Sequence, residues 1–167
     1  ARRSPRSSLG HACLALRGGR IRLVPGLSCR NRIDAPDVMR GEETQILGAL
    51  ELKPELRRGQ HLLCLPGTHT KWAISDAGIV REFLTALTGE FFSVLSKHSL
   101  LSHDIAAHPA ADDLSAFDQA LTDGRRSSDA DVLHRLFECR SRRLGGELAP
   151  DSVAAYLSGT LIESDVS

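Results

Sequence analysis

A short segment after an apolar run combines several groups that can bind an anion. The run His61–Leu65 predicts a strand, and Pro66-Gly67 ends it. Two hydroxyls, an imidazole and an ammonium follow directly, from Thr68, His69, Thr70 and Lys71. Turn N–H groups, hydroxyls and a lysine together suit a phosphate group. The segment lacks the spacing of a Walker loop, and the pattern alone fits a hairpin with water-facing polar residues at least as well.

A second group places three carboxylates and an arginine around one glycine. It consists of Asp37, Arg40, Gly41, Glu42 and Glu43. A carboxylate can accept the proton of an attacking hydroxyl or bind Mg²⁺, and an arginine can bind a carboxylate or a phosphate through two hydrogen bonds. Acidic residues also stabilise the start of a helix through its dipole. From the spacing alone, this structural role is the better supported one.

A third candidate is the strand-to-helix turn Thr85–Glu90. Anion binding at the start of the following helix is one interpretation. Because threonine is a common helix N-cap, we predict instead that Thr88 caps this helix.

Periodicity predicts the elements that position these groups. The predicted strands are Ala12–Leu16, Arg20–Val24, His61–Leu65, Lys71–Ser75 and Gly78–Leu84, and the polar segment Ser28–Pro36 predicts a loop. The predicted helices are Gly41–Leu50, Thr88–Leu101, one near Leu114–Leu121, one capped by Ser128 and Asp131, and one after Pro150. Strands followed by helices indicate an α/β fold.

Apolar spacing also predicts which residues of each later helix face inward. They are Phe91, Phe92, Leu95 and Ser99; Leu114, Phe117 and Leu121; Val132, Leu133, Leu136 and Phe137; and Val153, Tyr156, Leu157, Thr160 and Leu161.

Composition excludes several classes of protein. Hydrophobic residues make up 41% and charged residues 25% of the 167 residues, as in folded water-soluble domains. No apolar run is long enough to span a membrane, and no secretory signal is recognisable, so we expect a cytoplasmic protein. Residues 1–40 hold nine arginines against two aspartates. This basic arm has no aromatic residues for base stacking, so we do not expect nucleic-acid binding.

The cysteines and histidines do not suggest a metal site. The four cysteines form no CxxC pair, and Cys64 fits a small buried hydrophobic residue. His98, His103 and His108 are spaced by five, which does not place them on one helical face. We therefore expect no metal held by protein ligands alone.

Three segments together resemble a known family. They are DVMRGEETQILGAL, LPGTHTKW and TALTGEFFSVLSKHSLL, in this order and at these separations, and RRLGGELAPDSVAAYLSGTLI is similar as well. The family is that of the 2-dehydro-3-deoxygalactonokinases, and the resemblance covers about Val24 to Ile162. It implies an actin-like, ribonuclease-H-like fold of two lobes around an ATP cleft. It also implies phosphorylation of 2-dehydro-3-deoxy-D-galactonate at the 6-hydroxyl, in D-galactonate breakdown.

The resemblance also implies roles for the candidate residues. Gly67, Thr68, His69, Thr70 and Lys71 would form the second phosphate loop, which faces ATP and its Mg²⁺. The arginine and acidic cluster would lie toward the interlobe cleft. Glu42, Glu43 and Asp37, in that order, are the candidates to orient the attacking hydroxyl, and Arg40 is the candidate to bind the substrate carboxylate.

Two segments typical of the family do not occur in the sequence, a first phosphate loop of the type DWGTT and a segment of the type GMIGS. We therefore assign residues 1–50 to a basic arm and the tail of the first lobe, and residues 51–167 to most of the second lobe. We expect little or no kinase activity from the isolated chain. The alternatives are a truncated, inactive remnant of the kinase and a non-enzymatic binding module that uses the basic arm. The partners implied are a sugar acid and a nucleotide, and the oligomeric state is left open.

Overall fold

The computed structural model describes residues 14–18, 20–101, 114–126 and 131–167. The strands are β1 (Leu14–Leu16), β2 (Ile21–Leu23), β3 (Leu27–Arg30), β4 (Pro36–Met39), β5 (Gln60–Leu65), β6 (Thr70–Asp76) and β7 (Ile79–Ala86). The α-helices are α1 (Glu42–Leu52), α2 (Thr88–His98), α3 (Leu114–Gly124), α4 (Val132–Leu144) and α5 (Val153–Val166), and a short 3-10 helix covers Pro54–Arg57. Contacts divide the chain into two compact units, unit 1 (Ala1–Ala86) and unit 2 (Leu87–Ser167).

Unit 1 contains three antiparallel sheets, β1–β2, β3–β4 and β5–β6–β7. The predicted β1–β2 hairpin is confirmed. The prediction of a loop over Ser28–Pro36 is correct for residues 31–35 and wrong at its ends, because Ser28–Arg30 belong to β3 and Pro36 to β4, which pair along their whole length. The Asn31 side-chain oxygen accepts the N–H groups of Ile33 and Ala35, at 3.2 and 3.0 Å, and so closes a tight turn between these strands. The polarity of the hairpin concealed it, since short strands with one wet face carry little apolar signal.

The core of unit 1 forms where α1 packs on the sheets. Its buried members are Met39, Ile46, Leu50, Ala73 and Phe83. The predicted helix over Gly41–Leu50 is confirmed, and Ile46 and Leu50 are buried on it. The expectation that Cys64 is buried is wrong, because β5 is an edge strand whose alternate residues, Cys64 included, are exposed.

The predicted β6–β7 hairpin is confirmed. Its turn residues Ala77 and Gly78 both have positive φ, 51° and 74°, and Asp76 pairs with Ile79 on either side. Two positive φ values are the requirement of a type I′ turn, whose twist matches that of antiparallel strands. At the other end of the hairpin, Lys71 pairs with Thr85 and Thr70 with Ala86.

Unit 2 is helical and has its own core. Its buried members are Ala116, Ala120, Leu136, Cys139, Leu148, Val153, Tyr156, Leu157 and Leu161. The predicted inward face of α5 is confirmed at all five positions. The predicted faces of three other helices are partly wrong, since Leu114 of α3 and both Leu133 and Phe137 of α4 are exposed. Phe91 of α2 is exposed as well.

A buried ion pair explains the rotation of α4. Arg135 lies on its inward face and pairs with Glu163 of α5, and both side chains are buried. Arg135 also donates to the carbonyl of Ala120 at 3.1 Å. A charged residue at an inward position is invisible to a count of apolar residues, so the sequence pattern favoured the wrong face.

A second polar cluster joins α3, α4 and α5 around Tyr156. Its hydroxyl lies 3.0 Å from a carboxylate oxygen of Asp123 and 3.0 Å from one of Glu138. Arg142 pairs with Asp123 at 3.0 Å and lies over the Tyr156 ring. Burial and the hydrogen bond to Asp123 raise the pKa of Tyr156 well above 10.0.

Two further predictions have different outcomes. Thr88 is not the N-cap of α2, which is Leu87; the Thr88 hydroxyl donates instead to Asp165 of α5 at 2.5 Å. The predicted cap residue Ser128, and the basic residues and histidines within 1–13 and 102–113, lie outside the described residues. Of the helices in the described part of the chain, none has both the length and the apolar character needed to cross a membrane.

Candidate functional site

The two segments that the sequence marked for chemistry meet at one cleft in unit 1. The cleft has a volume of about 460 Å³, within the range of small-molecule sites. Its walls are the loop before β3, the end of β4, the start of α1 and the start of β6. The lining residues are Pro25, Gly26, Leu27, Ser28, Val38, Met39, Arg40, Glu42, His69 and Lys71.

An ion pair links the two segments across this cleft. The Lys71 ammonium lies 3.6 Å from Glu42 Oε1, and the two side chains are 4% and 25% exposed. A lysine this deeply buried needs a nearby anion, because the desolvation cost of an unpaired charge is large. The second oxygen, Glu42 Oε2, is buried and accepts no hydrogen bond from the described residues. One acceptor of the pair therefore has no hydrogen-bond donor among the described residues.

The turn before α1 sets the direction of Glu42. Gly41 has a φ of 114°, a backbone conformation that favours glycine, and it serves as the N-cap. Its N–H donates to Glu43 Oε2 at 2.5 Å, and its carbonyl accepts the Thr44 hydroxyl at 2.5 Å. Glu43 is buried by this role and is not among the lining residues. The two adjacent glutamates thus differ, one in the cleft and one capping the helix.

Asp37 also points away from the cleft. Its carboxylate accepts the Thr85 N–H at 2.9 Å and the Thr85 hydroxyl at 2.6 Å, and it accepts the Val38 N–H at 2.8 Å. Three hydrogen bonds satisfy most of the acceptor capacity of a carboxylate. Of the three predicted carboxylates, Glu42 is the one that the structure brings to the cleft.

The predicted phosphate loop divides into two parts. Gly67 and Thr68 lie in the exposed turn between β5 and β6 and are not lining residues. His69 and Lys71 line the cleft, and Thr70 between them is buried, opposite Ala86 in the sheet. His69 is in the turn before β6, whereas Thr70 and Lys71 are the first residues of the strand, in which successive side chains point to opposite faces.

The loop before β3 is the part of the cleft that the sequence reasoning missed. Gly26 has a φ of 75°, and a Cβ there would lie 2.5 Å from the carbonyl oxygen of Met39. A glycine in a Pro-Gly pair is a signal for such a close backbone approach, and this contact brings the loop against the end of β4.

The cleft can therefore bind an anion next to a carboxylate. Arg40 is exposed at its edge, His69 lies on its wall, and Lys71 is at its base beside Glu42. In the part of the chain that the structure describes, no three or more histidine, cysteine or acidic side chains are grouped so that they could hold a metal ion. This chemistry suits a phosphate or carboxylate ligand that brings its own metal.

Comparison with known proteins identifies the family. A family model described as 2-keto-3-deoxy-galactonokinase matches residues 4–167. The chain belongs to this family. The matched residues include both the cleft of unit 1 and the helices of unit 2. The similarity expected from the three sequence motifs is thereby confirmed.

Individual relatives agree with the family model. The chain is 42% identical over 150 residues to a Rhizobium meliloti (strain 1021) protein named a probable 2-dehydro-3-deoxygalactonokinase. This alignment covers 88% of this chain and 47% of that protein. It is 36% identical over 161 residues to the 2-dehydro-3-deoxygalactonokinase of Escherichia coli (strain K12). This alignment covers 96% of this chain and 51% of that protein.

A solved structure supports the α/β fold with antiparallel sheets and helices. A Sinorhizobium meliloti protein, assigned as a 2-dehydro-3-deoxygalactonokinase, has a crystal structure that matches with a TM-score of 0.82 at 38% identity. The match covers 96% of this chain and 52% of that chain. The chain therefore spans about half the length of the relatives that it matches.

Proposed function

We propose that this chain acts in the ATP-dependent phosphorylation of 2-dehydro-3-deoxy-D-galactonate at its 6-hydroxyl, in D-galactonate breakdown. Membership of the 2-keto-3-deoxy-galactonokinase family supports the reaction class. The observation that carries the proposal is the Glu42–Lys71 pair, which joins the acidic segment and the basic loop in one cleft. Phosphoryl transfer needs a group to orient the attacking hydroxyl and cations on the phosphates.

The proposal includes the fold and lobe assignment of the family. An actin-like sugar kinase has two lobes, and we assign residues 1–50 to the basic arm and the tail of the first lobe and 51–167 to most of the second. The two lobes in this assignment are those of a whole family member, because the chain spans about half the length of its relatives.

We assign the roles from the position of each side chain. Glu42 lines the cleft and has one oxygen without a hydrogen bond from the described residues, so it is the best placed carboxylate to accept the proton of the 6-hydroxyl. Lys71 and His69 offer positive charge or N–H donors to phosphate oxygens. Arg40 at the edge is suited to the carboxylate of the sugar acid.

Mg²⁺ fits this cleft as a part of the nucleotide complex. The ion keeps several waters and is usually held by one or two carboxylates together with substrate phosphates. Glu42, the carboxylate among the lining residues, is assigned to the 6-hydroxyl, so the ion would be held by the substrate phosphates and water. When bound, the ion would neutralise negative charge on the phosphates.

The experiment that tests the proposal is ligand binding to the chain and to its Lys71→Met variant. Calorimetry with Mg-ATP, and separately with 2-dehydro-3-deoxygalactonate, measures affinity even if turnover is low. Removing the ammonium should weaken Mg-ATP binding by about tenfold or more, the usual effect of a lost charge-assisted contact.

Lys97→Met is the matched control, because Lys97 is an exposed lysine of unit 2. It should leave both affinities unchanged. Equal affinity of the Lys71→Met variant and the unaltered chain for Mg-ATP would contradict the assignment of the cleft, as would the absence of binding of either ligand to the unaltered chain.

A further inference from the structure

Four residues form a closed path beside the cleft, through two side-chain contacts, one strand pairing and the chain itself. Asp37 of β4 bonds to Thr85 of β7, and Thr85 is the sheet partner of Lys71 in β6. Lys71 pairs with Glu42 at the start of α1. The chain itself closes the path, since only four residues separate Asp37 from Glu42. Any shift of β4 relative to the sheet must therefore change the position of Glu42 relative to Lys71.

The contact lies at an otherwise open sheet edge. β7 is an edge strand, and the N–H of Thr85 donates to Asp37, in a different sheet, rather than to β6. Asp37 thus satisfies a backbone donor that the sheet leaves unpaired, and it bonds the hydroxyl of the same residue. A second polar link from the β3–β4 hairpin to β7 is weaker, a contact from the Cys29 thiol to the carbonyl of Phe83 at 3.4 Å.

The β3–β4 hairpin also covers the lysine. Residues from both of its strands, Leu27, Ser28, Val38 and Met39, line the same cleft as Lys71. Lys71 is nearly inaccessible although it lies close to the exposed turn after β5. The burial of the ammonium therefore depends on how firmly this hairpin is held against the sheet.

We propose that Asp37 and Thr85 are positioning residues, which hold the β3–β4 hairpin on the sheet and so keep Lys71 and Glu42 paired at the base of the cleft. The functional part of this inference rests on the proposed kinase function. Asp37 acts through Thr85 and not as a proton acceptor. An amide can preserve both links to Thr85, because its oxygen in place of Oδ2 accepts the Thr85 N–H and its NH₂ group in place of Oδ1 donates to the Thr85 hydroxyl. It loses only the exposed bond from the neighbouring Val38 N–H within β4.

The first test needs no ligand. The chain has three lysines, and Lys53 and Lys97 are exposed whereas Lys71 is buried. Acylation with an amine reagent, followed by mass spectrometry of each lysine, gives the reactivity of Lys71 relative to two internal standards. We expect Asp37→Ala and Thr85→Val to raise this ratio by about tenfold, through more frequent opening of the hairpin. Asp37→Asn and Thr85→Ser should leave it near the original value.

Asp76→Ala is the control for a general loss of stability. Asp76 pairs with Arg81 at 2.9 Å, at the opposite end of the same β6–β7 hairpin. This variant should leave the Lys71 ratio unchanged at equal distance from its melting midpoint. An unchanged ratio in both Asp37→Ala and Thr85→Val would overturn the proposal, as would an equal rise in Asp76→Ala. If Asp37→Ala fails to fold, the Thr85 pair of variants decides.

The second test separates this inference from the proposed function. In a full-length family member whose motif carries the same aspartate, the Asn variant should retain kcat within about threefold, whereas a general base replaced by an amide should lose about 10²-fold or more. A large loss in the Asn variant with an unchanged Lys71 ratio would make Asp37 catalytic and refute the positioning role. If the unaltered chain binds neither Mg-ATP nor 2-dehydro-3-deoxygalactonate while the Lys71 reactivity ratios are as expected, the kinase proposal alone is refuted.

Discussion

Two adjacent glutamates of unit 1 show how local geometry separates residues that a motif treats alike. Glu42 faces the cleft and pairs with Lys71, whereas Glu43 turns back and accepts the N–H of Gly41. The first position can affect a bound ligand directly. The second stabilises the start of α1 by bonding a backbone donor that the helix leaves unpaired.

Replacing each glutamate by glutamine should therefore have different consequences for catalysis. We expect Glu42→Gln to lower kcat/KM for the sugar acid by about 10²-fold, because a proton acceptor is lost. It should also lower the melting temperature, because the buried Lys71 loses its anionic partner. Glu43→Gln should leave kcat/KM nearly unchanged and cost about 0.3–1 kcal/mol of stability, because the amide oxygen still accepts the Gly41 N–H and only the negative charge at the helix start is lost. The measurements are steady-state kinetics in a full-length family member carrying both glutamates and thermal melting of this chain. The reverse pattern would refute the assignment of the two roles.

The buried phenol of Tyr156 in unit 2 should make the stability of the chain depend on pH under alkaline conditions. The raised pKa of Tyr156 means that the folded state holds its proton more tightly than the unfolded state does. Its contribution to stability is thus complete below pH 10.0, the ordinary pKa, and is lost as the pH rises toward the folded value.

We expect the stability advantage of the unaltered chain over Tyr156→Phe to be constant between about pH 7 and 9 and then to fall by up to about 1.4 kcal/mol per pH unit. Urea unfolding of both proteins over this range measures it. Burial also raises the pKa of Cys139, to about 12, but this thiol is present in both proteins and cancels from the difference. An advantage that persists at pH 11 would show that the phenol is not protected by folding.

The sequence identified much of the site at this scale, but could not rank its members. Arg40, Glu42, His69 and Lys71 were all among the predicted residues and all line the cleft. Asp37, by contrast, bonds to Thr85, which is 48 residues away in the chain. A partner so distant in sequence leaves no local pattern, so spacing alone could not reveal where its carboxylate points.

At the scale of elements, strong turn signals were more reliable than helix faces. Asp76-Ala77-Gly78 correctly predicted the β6–β7 hairpin, and the apolar stripe of α5 predicted its buried face. The face of α4 was wrong because Arg135 is buried by its pairing with Glu163. The β3–β4 hairpin was missed because its turn depends on a side-chain hydrogen bond from Asn31 rather than on a glycine.

The β6–β7 turn holds Ala77 in a backbone conformation that is unfavourable for alanine. Ala77 is exposed and has a φ of 51°, a left-handed conformation that costs an L-residue with a Cβ about 1 kcal/mol. Asparagine adopts this conformation more readily. We expect Ala77→Asn to stabilise unit 1 by about 0.5–1 kcal/mol, as measured by urea unfolding.

Ala77→Val is the matched control, because a β-branched residue is strained at positive φ. It should lower the stability. Both variants keep the Ala77 N–H, which donates to the Gly59 carbonyl at 2.8 Å. A lower unfolding midpoint for the asparagine variant than for the valine variant would contradict the turn assignment.

At the scale of the whole molecule, two separate hydrophobic cores correspond to the two units. The sequence predicted the order of strands followed by helices, since each element has its own periodicity. It gave no signal for a division between Ala86 and Leu87, because β7 is followed by α2 with no intervening linker rich in glycine or proline. The lobe boundary at residues 50 and 51 is a different division and stays a prediction.

The last prediction uses these two cores and their natural probes. The single tryptophan, Trp72, is in β6 of unit 1, and four of the five described α-helices are in unit 2. Leu50 and Leu157 are matched leucines, each almost fully buried in one of the cores. Replacing a buried leucine by alanine costs about 2–5 kcal/mol. We expect Leu50→Ala to lower the urea midpoint followed by tryptophan fluorescence more than the midpoint followed by helical circular dichroism, and Leu157→Ala to do the reverse. Identical shifts of both signals in both variants would show that the two units unfold as one cooperative body.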